Sequence, residues 1–145
     1  KKSSNGSHIG IAFDIELNPN VKRHPIYKGK KNKFCSPAFN FDEVVTLPKD
    51  ATLLASNNIN KISSISFNHE KSEIWGIQYH PEIKYEKMIE LIKFRKDRLI
   101  NQRKAFKSYD EIDHHISLIK NELSKSEINH RMIELKNWLG SINGN

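Results

Sequence analysis

The stretch Trp75-Gly76-Ile77-Gln78-Tyr79-His80-Pro81-Glu82 decides how this chain is read. Trp75, Ile77 and Tyr79 alternate with Gly76, Gln78 and His80, the period of a strand with one face turned inward. Pro81 has no N–H to give to a ladder, so pairing is expected to stop there, leaving the His80 imidazole at the carboxyl end of the strand. Such ends line the ligand crevice of open α/β sheets. A histidine in that place, with Glu82 two residues on, is a potential base beside its own orienting carboxylate. That is the equipment for activating a nucleophile.

Upstream of this stretch the pattern is extended. Residues 9–17 alternate well enough for one strand, closed by Pro19, and residues 24–29 read as a turn or short helix ended by Gly29. Residues 34–45 are mostly extended. Pro48-Lys49-Asp50 is a turn before a strand over 51–55, residues 57–60 turn again, and 62–67 form another strand. Residues 68–72 then link to the strand carrying His80. Strands in succession without long helices between them predict antiparallel or mixed pairing, with parallel strands expected to lie outside this chain.

Downstream the period becomes helical. Tyr85, Met88, Ile89, Ile92 and Leu99 share one face of a helix that should pack back on the sheet and anchor His80. Ser108-x-x-Glu111 and Ser124-x-x-Glu127 match the capping box and predict two more helices. Their apolar faces are Tyr109, Ile112, Ile116, Ile119 and Leu123, then Ile128, Met132, Leu135 and Leu139, with Gly140 as the stop. The expectation is an antiparallel helical hairpin over 105–145, following a sheet domain over 1–104. Trp138 is expected to pack within the hairpin, and an oligomer interface is the other use for these helix faces. No internal repeat or low-complexity segment is evident.

Composition narrows the class. At 37% apolar and 28% charged residues the chain has the makeup of an ordinary globular domain. No apolar run approaches the roughly 18 residues of a membrane span, and a single cysteine excludes an internal disulfide and suits a reducing compartment, the cytoplasm. The net charge of +7 raises the question of nucleic acid. Two clusters carry it: Lys22, Arg23, Lys28, Lys30, Lys31 and Lys33, then Lys93, Arg95, Lys96, Arg98, Arg103 and Lys104. The second is the solvated side of an amphipathic helix, and no zinc-finger or RNA-recognition spacing accompanies either. Nucleic acid is therefore a minor alternative, resting on phosphate attraction alone. Asp113-His114-His115 suggests a metal at first sight, but neighbours on a helix point about 100° apart and do not converge as an i, i+4 pair would. His114, His115 and His130 read as solvated helix positions, and His8, His24 and His69 as surface residues of loops.

The segment Gly76-Ile77-Gln78-Tyr79-His80-Pro81-Glu82 resembles the His/Glu signature of class I glutamine amidotransferases. Asp42-Glu43-Val44-Val45-Thr46-Leu47-Pro48 and Ala51-Thr52-Leu53-Leu54-Ala55-Ser56 are similar to the family's Asp-x-Val-x-x-Leu-Pro and Leu-Ala-Ser segments, in the same order and at similar spacing. The likeness is to stand-alone amidotransferases similar to the glutaminase domain of GMP synthase; it runs from about residue 9 to 100 and is weaker in the C-terminal helices. The resemblance implies the C-terminal part of a flavodoxin-like α/β sheet domain followed by the helical hairpin. It also implies a Cys-His-Glu triad that hydrolyses the side-chain amide of glutamine through a thioester and releases ammonia, with no cofactor and no metal. His80 and Glu82 would be its catalytic base and orienting acid. The substrate implied is glutamine or another γ-glutamyl amide, and the partner a synthetase that receives ammonia.

The nucleophile does not come with them. In the family it sits on a glycine-flanked turn between strand and helix, well before the segment seen here. Cys35 lies in Lys33-Phe34-Cys35-Ser36-Pro37, which has no glycine to permit a strained elbow, and reads as a small buried hydrophobe. Residue 1 is not Met, and the polar run Lys1-Lys2-Ser3-Ser4-Asn5-Gly6 reads as a loop entered partway through a domain, so the cysteine is expected outside this chain. Asn40 stands where many relatives carry His; it hydrogen-bonds but does not titrate near neutrality. The residues that bind substrate are not fixed by the resemblance, and Asn40, Gln78 and Tyr79 are weak candidates. The rival reading is a non-catalytic relative that keeps the fold and acts in binding or assembly through its helices.

Overall fold

In the computed structural model, residues 1–21, 24–125 and 127–143 are described. Lys22 and Arg23 of the first basic cluster lie outside them. The strand expected over 9–17 is two strands, β1 (His8–Ile9) and β2 (Ala12–Leu17), separated at Gly10. Gly10 has φ +83°, and a Cβ there would lie 2.6 Å from Ile92 Cδ1 and 2.9 Å from Ile119 Cδ1. Side-chain alternation cannot register such a break, because the close approach is made by residues more than eighty positions away.

β1 pairs with β4 (Phe39–Asn40). β2 enters a five-stranded antiparallel sheet with β3 (Lys33–Ser36), β5 (Thr52–Ser56), β6 (Ser64–His69) and β7 (Ser72–Ile77), in the order β3-β2-β5-β6-β7. The link expected over 68–72 is instead a tight hairpin, paired out to His69↔Ser72, with Glu70 in the left-handed region at φ 54°. Its outer end is exposed, so polar residues that looked like a loop are tolerated in the ladder.

The five-stranded pairing ends at Ile77, before Pro81. Beyond it the Gln78 N–H donates to Ser63 O (2.9 Å) and the His80 N–H to Pro37 O (2.7 Å). The segment after the strand is therefore held by two different neighbours, and its backbone is fixed up to His80.

Two apolar clusters hold the molecule together. One gathers Ile15, Leu17, Ile26, Phe34, Leu54 and Tyr79. The other packs Ile9, Ile11, Tyr85, Ile92 and Leu99 against Ile112, Ile116 and Ile119. The helical face read from Tyr85 to Leu99 belongs to two helices, α1 (Tyr85–Phe94) and α2 (Lys96–Asn101), broken at Arg95. The Arg95 N–H bonds both Leu91 O and Ile92 O, which tightens the last turn of α1. Leu99 is buried all the same.

α3 (Tyr109–Lys125) opens as its sequence predicts, with Ser108 Oγ accepting from the Glu111 N–H at 3.2 Å. Glu111 reaches the Lys107 N–H (2.7 Å) and not that of Ser108, so the box is closed on one side only. The second capping box is not used. α3 runs through Ser124, whose hydroxyl donates to Asn121 O, and α4 (Ile128–Arg131) starts after Glu127 without a side-chain cap. α5 (Ile133–Asn143) continues through the exposed Gly140, which is not the stop expected.

The C-terminal helices pack on different parts of the domain: α3 on α1 and α2, α5 on the short 3-10 turn Pro25–Tyr27. Ile128 and Leu139 of the expected apolar face are 53% and 52% exposed, and Trp138 is exposed too. Arg131 and Glu134 are buried in their place. Among the described residues no helix is long and apolar enough to cross a membrane.

Candidate active site

His80 and Glu82 stand together just past the end of β7. His80 Nδ1 lies 2.9 Å from Glu82 Oε1, and the two side chains are 45% and 50% exposed. A carboxylate only accepts, so Nδ1 carries a hydrogen and donates it to Glu82, and Nε2 is the ring nitrogen turned away from the pair. A turn in which the Ile83 N–H returns to His80 O (3.1 Å) brings the two residues face to face. Tyr85 and Met88, fully buried at the start of α1, pin the chain immediately afterwards.

The residue before His80 is fastened from the other side. The Tyr27 hydroxyl donates to the Tyr79 hydroxyl (2.8 Å), which donates to Glu134 Oε1 (2.9 Å). The opposite oxygen of Glu134 takes Lys30 Nζ at 2.8 Å, and both members of this ion pair are 1% exposed. Lys30 also donates to the carbonyls of His130 (3.0 Å) and Arg131 (3.3 Å). Burial pulls the Lys30 ammonium down from its usual range while Glu134 pulls it up. Burial also holds Tyr79 well above the ordinary phenol range. The segment after β7, the Pro25–Tyr27 turn with the loop after it, and the last helix therefore meet at one buried chain of hydrogen bonds next to His80. The sequence carried no pattern for this, since Lys30 and Glu134 are 104 positions apart.

Of the three weak candidates for binding, Asn40 is half-buried and donates from Nδ2 to Asp42 O (3.3 Å), while its Oδ1 is buried with no partner. The Gln78 amide oxygen accepts from Asn60 Nδ2 at 2.8 Å. The Tyr79 hydroxyl is engaged in the buried network. Cys35 is half-buried on β3 beside the second apolar cluster. Burial raises its thiol to about 11, with the charges of Glu122 and Asp14 adding to the rise. A thiol so raised is a poor source of thiolate at neutral pH.

Several histidines do more than the sequence suggested. His8 lies in β1 and is 2% exposed; its Nε2 accepts from Asn57 Nδ2 at 3.3 Å, and burial lowers it to about 4. His24 caps the Pro25–Tyr27 turn by accepting the Ile26 N–H at its Nδ1 (3.4 Å). His115 donates from Nε2 to Ile9 O (2.6 Å), tying α3 to β1. His130 accepts the Lys31 N–H at 3.0 Å. His69 and His114 are exposed. Among the described residues no three His, Cys, Asp or Glu side chains gather as a metal site would require.

The fold is that of a glutamine amidotransferase. The structure of such an enzyme from Thermotoga maritima superposes with a TM-score of 0.60 at 17% identity, covering 97% of this chain and 53% of that one. The structure of SMU.1228c superposes at 0.65 and 17% identity, covering 97% and 54%. At 17% identity these superpositions show a likeness of fold. No protein-family model matches the chain.

Two kinds of curated relative are similar to it in sequence. A gamma-glutamyl-L-1-hydroxyisopropylamide hydrolase of Pseudomonas sp is 36% identical over 73 residues, 50% of this chain and 24% of that protein. A glutamine-hydrolysing GMP synthase subunit from Methanosphaera stadtmanae is 39% identical over 71 residues, 49% of this chain and 37% of that protein. Its counterpart from Methanococcus vannielii is 33% identical over 92 residues, 63% and 45%. The chain spans less than half the length of these curated relatives.

Proposed function

We propose that this chain carries the His/Glu part of a glutaminase site that hydrolyses a γ-glutamyl amide through a Cys-His-Glu triad. The observation that supports it is the 2.9 Å contact between His80 Nδ1 and Glu82 just past the end of β7. His80 Nε2 takes the proton of a cysteine thiol. The thiolate sulfur adds to the side-chain carbonyl carbon of the substrate, and the C–N bond breaks as Nε2 returns the proton to the departing amine. Water, deprotonated by the same nitrogen, then cleaves the thioester to give the γ-carboxylate and the free thiol. Glu82 holds the tautomer throughout and stabilises the imidazolium.

Cys35 does not suit the role of nucleophile, since its raised thiol packs beside the α1–α3 cluster. The cysteine is assigned to residues outside this chain, and residues 1–104 to the amidotransferase part, with 105–145 as its helical extension. The substrate is glutamine or a small γ-glutamyl amide, after the two kinds of relative. With glutamine, the ammonia released would serve a synthetase partner in the cytoplasm.

His80→Ala in the full-length protein is expected to lower glutaminase turnover by about 10²- to 10⁴-fold while leaving the melting temperature unchanged. Normal turnover in that variant would remove His80 from the mechanism. A chloroketone analogue of glutamine, followed by peptide mapping, is expected to label a cysteine other than Cys35. Label on Cys35 would overturn the assignment of the nucleophile and point to the chain acting alone.

A further inference from the structure

A cleft of about 550 Å³ opens between β3 and the facing ends of α3 and α4, and Lys30 of the buried network touches its back wall through the carbonyls of His130 and Arg131. Its size lies within the roughly 300–1,000 Å³ typical of small-molecule sites. Arg131 lines it, and this arginine is 6% exposed. Its Nε is buried without a hydrogen-bond partner, and no carboxylate of the described residues forms an ion pair with it. Its guanidinium lies over the Tyr85 ring, 5.7 Å from the centroid. A guanidinium left unpaired at such depth is costly, and buried charges are ordinarily matched by an opposite charge or hydrogen-bonded.

The rest of the lining is graded. Lys31 and Lys125 add positive charge at the mouth, and Phe34 and Cys35 give an apolar patch. Lys33 is already engaged by Asp14 (3.2 Å) and Glu16 (3.3 Å). Glu122 and Glu127 also face the cleft, so any bound anion competes with them for Arg131. The field is divided: burial and the Lys30 and Lys31 charges lower His130 on one side, while Glu122 and Asp14 add to the rise of Cys35 on the other. A planar fork of N–H donors suits an oxyanion, and the apolar patch suits a short carbon skeleton.

We propose that this cleft is a second ligand site, binding a small organic anion whose phosphate or carboxylate group seats on Arg131. It is independent of the glutaminase chemistry and takes no residue from it.

Inorganic phosphate and succinate, each titrated by calorimetry into the full-length protein at ionic strength matched with chloride, separate the two headgroups. Saturable binding of either one is expected at millimolar concentration, and the one that binds identifies the group recognised. Arg131→Met is expected to weaken that binding at least tenfold, or about 1.4 kcal/mol. If this variant does not fold, two surface changes keep the test open: Lys125→Met should weaken binding about threefold and Glu122→Gln should strengthen it by a similar factor. His80→Ala should leave it unaltered. Absence of binding by both anions beyond chloride, or binding indifferent to Arg131, Lys125 and Glu122, overturns the proposal.

Discussion

Two histidines in this chain show how environment divides one side chain into two roles. His80 is half-exposed at a strand end and keeps its Nε2 free, whereas His8 is enclosed between β1 and Asn57 and lowered to about 4. The consequence for His8 is a pH dependence of stability. Between pH 6.5 and about 4 the unfolded chain binds a proton at this residue and the native chain does not, so stability falls as pH falls through that window. A shift of this size corresponds to roughly 3 kcal/mol. Urea unfolding of wild type and His8→Asn is expected to give curves of stability against pH that diverge below 6.5, with the variant flatter. Parallel curves would mean that His8 protonates in the native state without resistance.

Elements meet closely where the sequence looks least eventful. Gly10 separates two strands and lets the side chains of Ile92 and Ile119 come within reach of its backbone. Gly10→Ala adds a methyl where φ is +83° and two isoleucine methyls already stand. The left-handed backbone costs roughly 1–2 kcal/mol, and overpacking adds about 1–3 kcal/mol. Denaturation midpoints measure the sum, and a loss under about 1 kcal/mol would show that α1 and α3 give way at little cost. The division of the expected Tyr85–Leu99 face into α1 and α2 is of the same kind. Helical period survives a break at Arg95 because both pieces bury the same stripe.

On the scale of the molecule, the Tyr27–Tyr79–Glu134–Lys30 chain joins α5 to the Pro25–Tyr27 turn and to the segment that carries the candidate base. Breaking a buried ion pair from one side costs about 3–5 kcal/mol, more than removing both charges. Glu134→Gln is therefore expected to destabilise by about that amount, and Lys30→Met with Glu134→Leu by less than the sum of the single changes. The double-mutant cycle by urea denaturation checks this. Additive losses would mean that the two residues act separately. Glu134 also explains why the buried face of α5 departs from its hydrophobic period: the helix is fixed there by a carboxylate whose partner, Lys30, lies 104 residues earlier.

The sequence by itself determined that a strand precedes His80-Pro81-Glu82 and stops before Pro81, that the chain before it is mainly extended, that α3 starts at Ser108, and the likeness to amidotransferases. Each of these is written in local spacing: alternation, a proline without an N–H, a capping serine, a contiguous motif. The tertiary structure alone decided that Gly10 splits a strand, that Ser124 and Gly140 lie inside helices, and that the helices divide between two parts of the domain. It also decided that Arg131 and Glu134 are buried while Trp138 is not. Local spacing specifies which way a side chain points from its own backbone. Whether that direction meets water, a methyl group or a buried charge depends on which distant segment the fold brings there, and no spacing records it.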